Sequence, residues 1–246
     1  DDVESRGLGD VYKRQYSMTI CMCNNFRKDF EMYTFDPTLY FITDSTGLSE
    51  EEFLYRVECA LDGGATLMQL REKERTTREY IHLADKVHSI ARRYNVPLII
   101  DDRVDVALAA DSEGVHVGQT DMPVSIARKL MGSDRIVGAT TKTVPQAVEA
   151  YEQGADYLGV GAIYPTTTKV KTVLTSTDTL RDICKAVPIP VNAIGGLNPT
   201  NLDVLSGIPI AGICVVSAIM KADNPKDAAS RLLALSRQLP VSYTHL

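Results

Sequence analysis

The stretch DYLGVGAIYPTTTK, residues 156–169, joins two unlike halves. Up to Tyr164 almost every side chain is apolar or small. From Pro165 the chain turns to a proline, three consecutive threonines and a lysine. A strand that is apolar almost throughout is buried on both faces, as parallel sheets require. One that ends so abruptly in hydrogen-bonding groups delivers them to one end of its sheet. Alone, the polar half reads as a solvated loop or as a site for an anion, and the rest of the chain has to separate the two.

The same plan recurs along the chain. Short apolar runs lie at 39–43, 66–71, 97–101, 114–118, 135–140, 157–163, 189–194 and 212–217. Longer amphipathic stretches follow them at 50–62, 76–94, 103–110, 123–131, 143–153, 176–186, 199–206 and 225–238. Local signals mark several helix ends. Ser49 precedes the first, with Glu52 placed for a capping box. Glycines 63 and 64 stop it. Asn198-Pro199 reads as an N-cap with proline at the first helical position. Eight β-α units predict an α/β protein, a single-domain (β/α)8 TIM barrel over 38–239. A doubly wound open sheet shares the alternation, but no G-x-G-x-x-G follows the first strand.

Composition narrows the function. A net charge of −6 argues against general nucleic-acid binding, which needs a basic surface. No apolar run approaches the roughly 20 residues that span a bilayer, so no membrane partner is expected. Five scattered cysteines, an odd count without a framework, suit a reducing cytoplasm, and Cys59, Cys184 and Cys214 read as buried thiols. Residues 1–37 read as an irregular leader, of which 1–15 look non-native, and 240–246 as a non-native tail.

In a barrel of this kind the residues after each strand share one rim. That rim collects Gln69, Arg71 and Lys73, which alternate and point one way while Glu72 points the other. It also collects Asp101, Asp102 and Arg103; Gln119 and Asp121; Thr140, Thr141 and Lys142; Thr166, Thr167, Thr168 and Lys169; Gly195-Gly196; and Val216-Ser217. Two aspartates on neighbouring strands with cations nearby suit Mg²⁺. Arginine and lysine neutralise a diphosphate. Glycine amides leading into a helix suit a phosphate. Each residue also has a plainer reading: Asp102 as a cap for the helix at 103–110, the glycines as a tight turn, the threonines as strand and turn formers, His116 as a packed barrel side chain, His82 and His88 as surface or edge groups. The joint occurrence at one rim favours a site.

The motifs QLREK, DDRVDVALA, GVHVGQTDMP, TTTK, AIGGL and VVSAI, in this order and spacing over about residues 38–239, resemble thiamine-phosphate synthase (thiamine-phosphate pyrophosphorylase). The resemblance implies a cytoplasmic transferase of thiamine biosynthesis. Such an enzyme joins 4-amino-2-methyl-5-(diphosphooxymethyl)pyrimidine to 4-methyl-5-(2-phosphoethyl)thiazole, giving thiamine phosphate and pyrophosphate. It implies that Gln69, Leu70, Arg71, Glu72, Lys73, Asp101, Thr140 and Lys169 bind the pyrimidine diphosphate, with Arg71, Lys73 and Lys169 catalytic. It assigns the thiazole phosphate to Thr166, Thr167, Thr168, Gly196, Val216 and Ser217, and Mg²⁺ to Asp102 and Asp121. It implies a dissociative mechanism needing little acid-base machinery, and it allows a homo-oligomer. The family usually has asparagine where this chain has Asp101. Two other readings stand beside it: a TenI-like thiazole tautomerase, which typically lacks the second metal aspartate and the lysine found here as Asp121 and Lys169, and a non-catalytic barrel binding thiazole or thiamine phosphate.

Overall fold

In a computed structural model, the structure describes residues 35–165 and 173–239. Residues 1–34 of the leader expected over 1–37, the tail at 240–246 and the residues Thr166, Thr167, Thr168 and Lys169 lie outside the described residues. Eight parallel strands form a closed barrel in chain order: β1 (Leu39–Ile42), β2 (Leu67–Leu70), β3 (Leu98–Asp101), β4 (Gly114–Val117), β5 (Ile136–Thr141), β6 (Tyr157–Gly161), β7 (Val191–Ile194) and β8 (Gly212–Val215). Closure is made by β1 against β8, with Tyr40 opposite Cys214. The helices are α1 (Glu50–Asp62), α2 (Thr77–Arg93), α3 (Val104–Ala109), α4 (Val124–Met131), α5 (Val144–Glu152), α6 (Thr177–Ala186), α7 (Ser217–Met220) and α8 (Pro225–Gln238).

Alternation along the short strands sorts side chains into two layers. Leu39, Phe41, Met68, Leu70, Leu98 and Ile100 face outward into the core between strands and helices. Tyr40, Ile42, Leu67, Ile99, Ile136, Tyr157 and Cys214 fill the barrel interior. Register therefore decides which residues reach the site. Leu67 fills the interior and the outward Met68 and Leu70 do not, so Gln69 points inward, and the alternation carries on to Arg71 and Lys73.

Four sequence expectations are corrected. The stretch 199–206 holds only a 3₁₀ turn, Leu202–Leu205, in place of a helix. Asparagine side chains have captured its backbone: Asn198 Oδ1 accepts from the Thr200 N–H at 2.9 Å, and Asn201 Oδ1 accepts from the Asn198 N–H at 2.9 Å. At α1, Ser49 does cap Glu52 N, but the Glu52 carboxylate pairs with Arg56 at 2.6 Å and does not complete a box. The full capping box lies at Thr76 and Glu79, opening α2. His88 is buried, with Nδ1 3.2 Å from the Ala110 carbonyl and Nε2 3.0 Å from Glu113. Of the three thiols expected in the core, only Cys214 is fully buried, and Cys59 and Cys184 are half-buried. Among the described residues no helix is long and apolar enough to cross a membrane.

Candidate active site

A cavity of about 290 Å³ opens at the C-terminal ends of the strands. From β2 and its extension come Gln69, Arg71 and Lys73, and from β3 come Asp101 and Asp102. The loop after β4 supplies Gly118, Thr120 and Asp121, and β5 supplies Thr140 with Lys142 beyond it. The far wall is Gly161, Ala162, Gly195, Gly196, Val216 and Ser217. Leu70 instead packs toward the helices. Glu72 turns away from the cavity, accepting from Ser45 Oγ at 2.9 Å and Arg75 Nε at 3.0 Å.

The cations and acids meet directly. Lys73 Nζ lies 2.7 Å from Asp101 Oδ2 and also touches Asp102, while Arg71 Nε stands 3.7 Å from Asp101. Burial pushes the Asp101 carboxyl above its usual range and the charge of Asp102 adds to this, with Lys73 opposing. Burial also works against the Asp102 carboxylate, but hydrogen bonds to Lys73 and Asp121 outweigh it and hold Asp102 low. Asp121 goes up, through its own burial and the facing Asp102. Two carboxylates in mutual contact strain against each other electrostatically, and a cation between them relieves that strain. The donor set is hard oxygen, which fits Mg²⁺. Among the described residues no cluster of three or more His, Cys, Asp or Glu side chains is arranged for a metal.

Local backbone sets these positions. Asp102 takes a left-handed φ of 60° and donates its N–H to the His116 carbonyl at 2.8 Å. Aspartate is among the few residues that tolerate this conformation. α3 has Arg103 at its N-cap and no side-chain cap bond, so Asp102 is not spent on capping. Gly118 is a residue that sequence reasoning missed. A Cβ there would lie 2.7 Å from Asp121 Oδ2, and its own N–H donates to that oxygen at 2.9 Å. Gly196 has φ +65° and a Cβ on it would meet Tyr164 Cβ at 2.7 Å. The glycine pair is therefore a required turn as well as cavity wall. Tyr164 N–H donates to the Gly195 carbonyl at 3.0 Å and Thr175 N–H to the Ala162 carbonyl at 2.8 Å, so Tyr164 and Thr175 are each tied through the main chain to a residue that lines the cavity.

His116 is buried in the wall, its Nε2 2.8 Å from Thr140 Oγ1 and its Nδ1 3.0 Å from the Tyr157 hydroxyl. It packs in the barrel as its place in an apolar strand suggested, but it also borders the cavity. Tyr40 and Lys142 border it too, and neither was assigned a role from sequence.

A closed barrel whose C-terminal rim gathers paired cations, facing carboxylates and glycine-lined walls defines an enzyme of the phosphate-handling (β/α)8 class. A family profile described as thiamine monophosphate synthase matches residues 39–219. "Thiamine-phosphate synthase 2" of Streptococcus pneumoniae serotype 4 is 52% identical over 186 residues, which are 76% of this chain and 89% of that one. The "Thiamine-phosphate synthase" of Enterococcus faecalis is 48% identical over 201 residues, covering 82% and 95%. The solved "Thiamine phosphate pyrophosphorylase from Pyrococcus furiosus" superimposes with a TM-score of 0.75 at 37% identity, over 83% of this chain and 97% of that one. The chain belongs to the thiamine monophosphate synthase family.

Proposed function

We propose that the protein is a thiamine-phosphate synthase. It couples 4-amino-2-methyl-5-(diphosphooxymethyl)pyrimidine with 4-methyl-5-(2-phosphoethyl)thiazole, forming thiamine phosphate and pyrophosphate in the cytoplasm. The observation that carries this reading is the gathering of Arg71, Lys73, Asp101, Asp102 and Asp121 in one cavity, with Lys73 paired to Asp101 and Asp102 and with Gly196 and Ser217 in the same lining, in a member of this family.

The residues divide the work. Arg71 and Lys73 take the diphosphate, the arginine through its planar fork and the lysine as a point charge. Lys169 joins them from the connection after β6. Gln69 and Thr140 hold the pyrimidine, and Asp101 holds the two cations in place. Asp102 and Asp121 hold Mg²⁺, which neutralises charge on the leaving diphosphate when bound. Thr166, Thr167 and Thr168, with Gly196, Val216 and Ser217, take the thiazole phosphate. Loss of pyrophosphate leaves a pyrimidine methylene cation, and the thiazole nitrogen closes the new C–N bond. The protein's contribution is charge neutralisation and placement of the nucleophile.

The test is a coupling assay with both substrates and Mg²⁺, following thiamine phosphate and pyrophosphate together. Equal, Mg²⁺-dependent formation of the two is expected. Folded protein that forms neither overturns the reading.

A further inference from the structure

Along the cavity wall and through the barrel interior, a line of side chains runs from β2 to β5. Gln69 Nε2 donates to the Tyr40 hydroxyl at 2.8 Å. The Tyr40 and Tyr157 hydroxyls are 2.7 Å apart, the Tyr157 hydroxyl is 3.0 Å from His116 Nδ1, and His116 Nε2 is 2.8 Å from Thr140 Oγ1. Both tyrosines are fully buried. Burial raises both phenols well above their ordinary range, so each keeps its one proton.

Proton counting then fixes the direction of every bond. A phenol donates once. Tyr40 accepts from Gln69, and among the described residues its other bonded partner is the Tyr157 oxygen, so Tyr40 donates there. Tyr157, having accepted, donates to His116 Nδ1. A neutral imidazole that accepts at Nδ1 carries its proton on Nε2 and donates to Thr140 Oγ1. Reversing one link alone leaves a buried donor without an acceptor, at a cost of about 1–3 kcal/mol. The two ends are therefore set together. With Nε2 spent on Tyr40, the acceptor that Gln69 has left for a ligand in the cavity it lines is Oε1, and the Thr140 hydroxyl proton is left for a ligand.

We propose that Tyr40, Tyr157 and His116 are positioning residues that form a one-way hydrogen-bond relay, fixing the site to read a heteroaromatic ring that offers an amine donor toward Gln69 and a ring-nitrogen acceptor toward Thr140. Resting on the synthase reading, this names the device that separates an aminopyrimidine from its oxo counterpart, whose donor and acceptor are exchanged. A site built around a hydrogen-bond pattern rejects a ring that leaves its groups unpaired.

The relay is tested by the imidazole tautomer of His116 in the full-length protein, read by two-bond ¹⁵N–¹H correlation at a pH where the ring is neutral. The chain has four histidines, and the His116 signals are those missing from His116→Asn. The wild type is expected to carry the proton on Nε2, and a proton on Nδ1 overturns the assignment. Gln69→Glu supplies only acceptors, so it should reverse every bond and move the His116 proton to Nδ1. In the Tyr157→Phe background, where the line is cut, the same substitution should leave the tautomer alone. An unmoved tautomer in the first case, or a moved one in the second, sinks the relay. In turnover, Tyr157→Phe should reduce the preference for the amino- over the oxo-pyrimidine diphosphate by about tenfold, the worth of one ordered hydrogen bond. An unchanged preference removes the role in selectivity. Absence of turnover in the wild type would refute the synthase reading, while the tautomer results would still decide the relay.

Discussion

Lys73 is the cation most deeply engaged with the acids of the site, and replacing it with methionine separates its roles. The methionine keeps most of the stem and removes the charge. In the folded protein, Lys73 bridges Asp101 and Asp102, with Nζ 2.7 Å from Asp101 Oδ2. Its side chain is 41% exposed, so solvent screens the pair, and the stability lost is about 1 kcal/mol. The chemical step is affected more. A lysine that meets the departing diphosphate acts on charge that develops in the transition state, and losing one such contact costs about 10²–10³-fold in kcat. The assay is steady-state coupling with each substrate varied at saturating partner and Mg²⁺. Lys73→Met should lower kcat on that scale and raise KM for the pyrimidine diphosphate, leaving KM for the thiazole phosphate near its original value. A kcat within about threefold of wild type, or a loss confined to the thiazole KM, would refute the placement of Lys73 on the diphosphate.

Three further outcomes are expected. Lys169→Ala should lower turnover by about 10²–10³-fold if its charge also meets the leaving group, and a near-normal kcat would place that lysine elsewhere. Gly118→Ala puts a Cβ 2.7 Å from Asp121 Oδ2, so the carboxylate must shift; the Mg²⁺ titration of activity should move to higher concentration while the melting temperature changes little, and an unmoved titration would detach Gly118 from the metal site. Burial opposes the Glu113 carboxylate, but hydrogen bonds from His88 and the Leu98 N–H hold its carboxyl below the usual range. Its stabilising contribution is therefore complete above the unfolded glutamate value of about 4.3 and is lost as pH falls through the folded value; the melting-temperature gap between wild type and Glu113→Gln should close as pH is lowered from about 5 to about 3, and a gap constant over that window would contradict the assignment.

The barrel was legible because its strands advertise burial on both faces and recur eight times with helical stretches between. That Gln69, Arg71 and Lys73 share one face followed from the two-residue period; that this face is the inward one is set by the layering of Leu67, Met68 and Leu70. What escaped was anything decided by competition between side chain and backbone. Asn198-Pro199 has the chemistry of a helix start, yet asparagine bonds spent it on a turn. Glu52 stood in a capping position and was taken by Arg56 one turn on. Gly118 gave no sequence signal of its own, because its purpose is the space it leaves for a carboxylate three residues later. The tyrosines of β1 and β6 lie in apolar runs and drew no reading of their own, since nothing along the chain says that residues 117 apart share a hydrogen bond.

The pairing of Ile163 with Ile194 and of Tyr164 with Gly195 carries the β6–β7 ladder beyond the barrel proper. The start of the threonine-bearing connection is thus stitched to the glycine turn through main-chain atoms. These two stretches inherit change as a unit: a substitution that tilts either backbone is transmitted to the other without any side chain in between. Variation in this rim should accordingly be found in matched pairs across the two segments, and a barrel engineered to take a different second substrate would need both exchanged together.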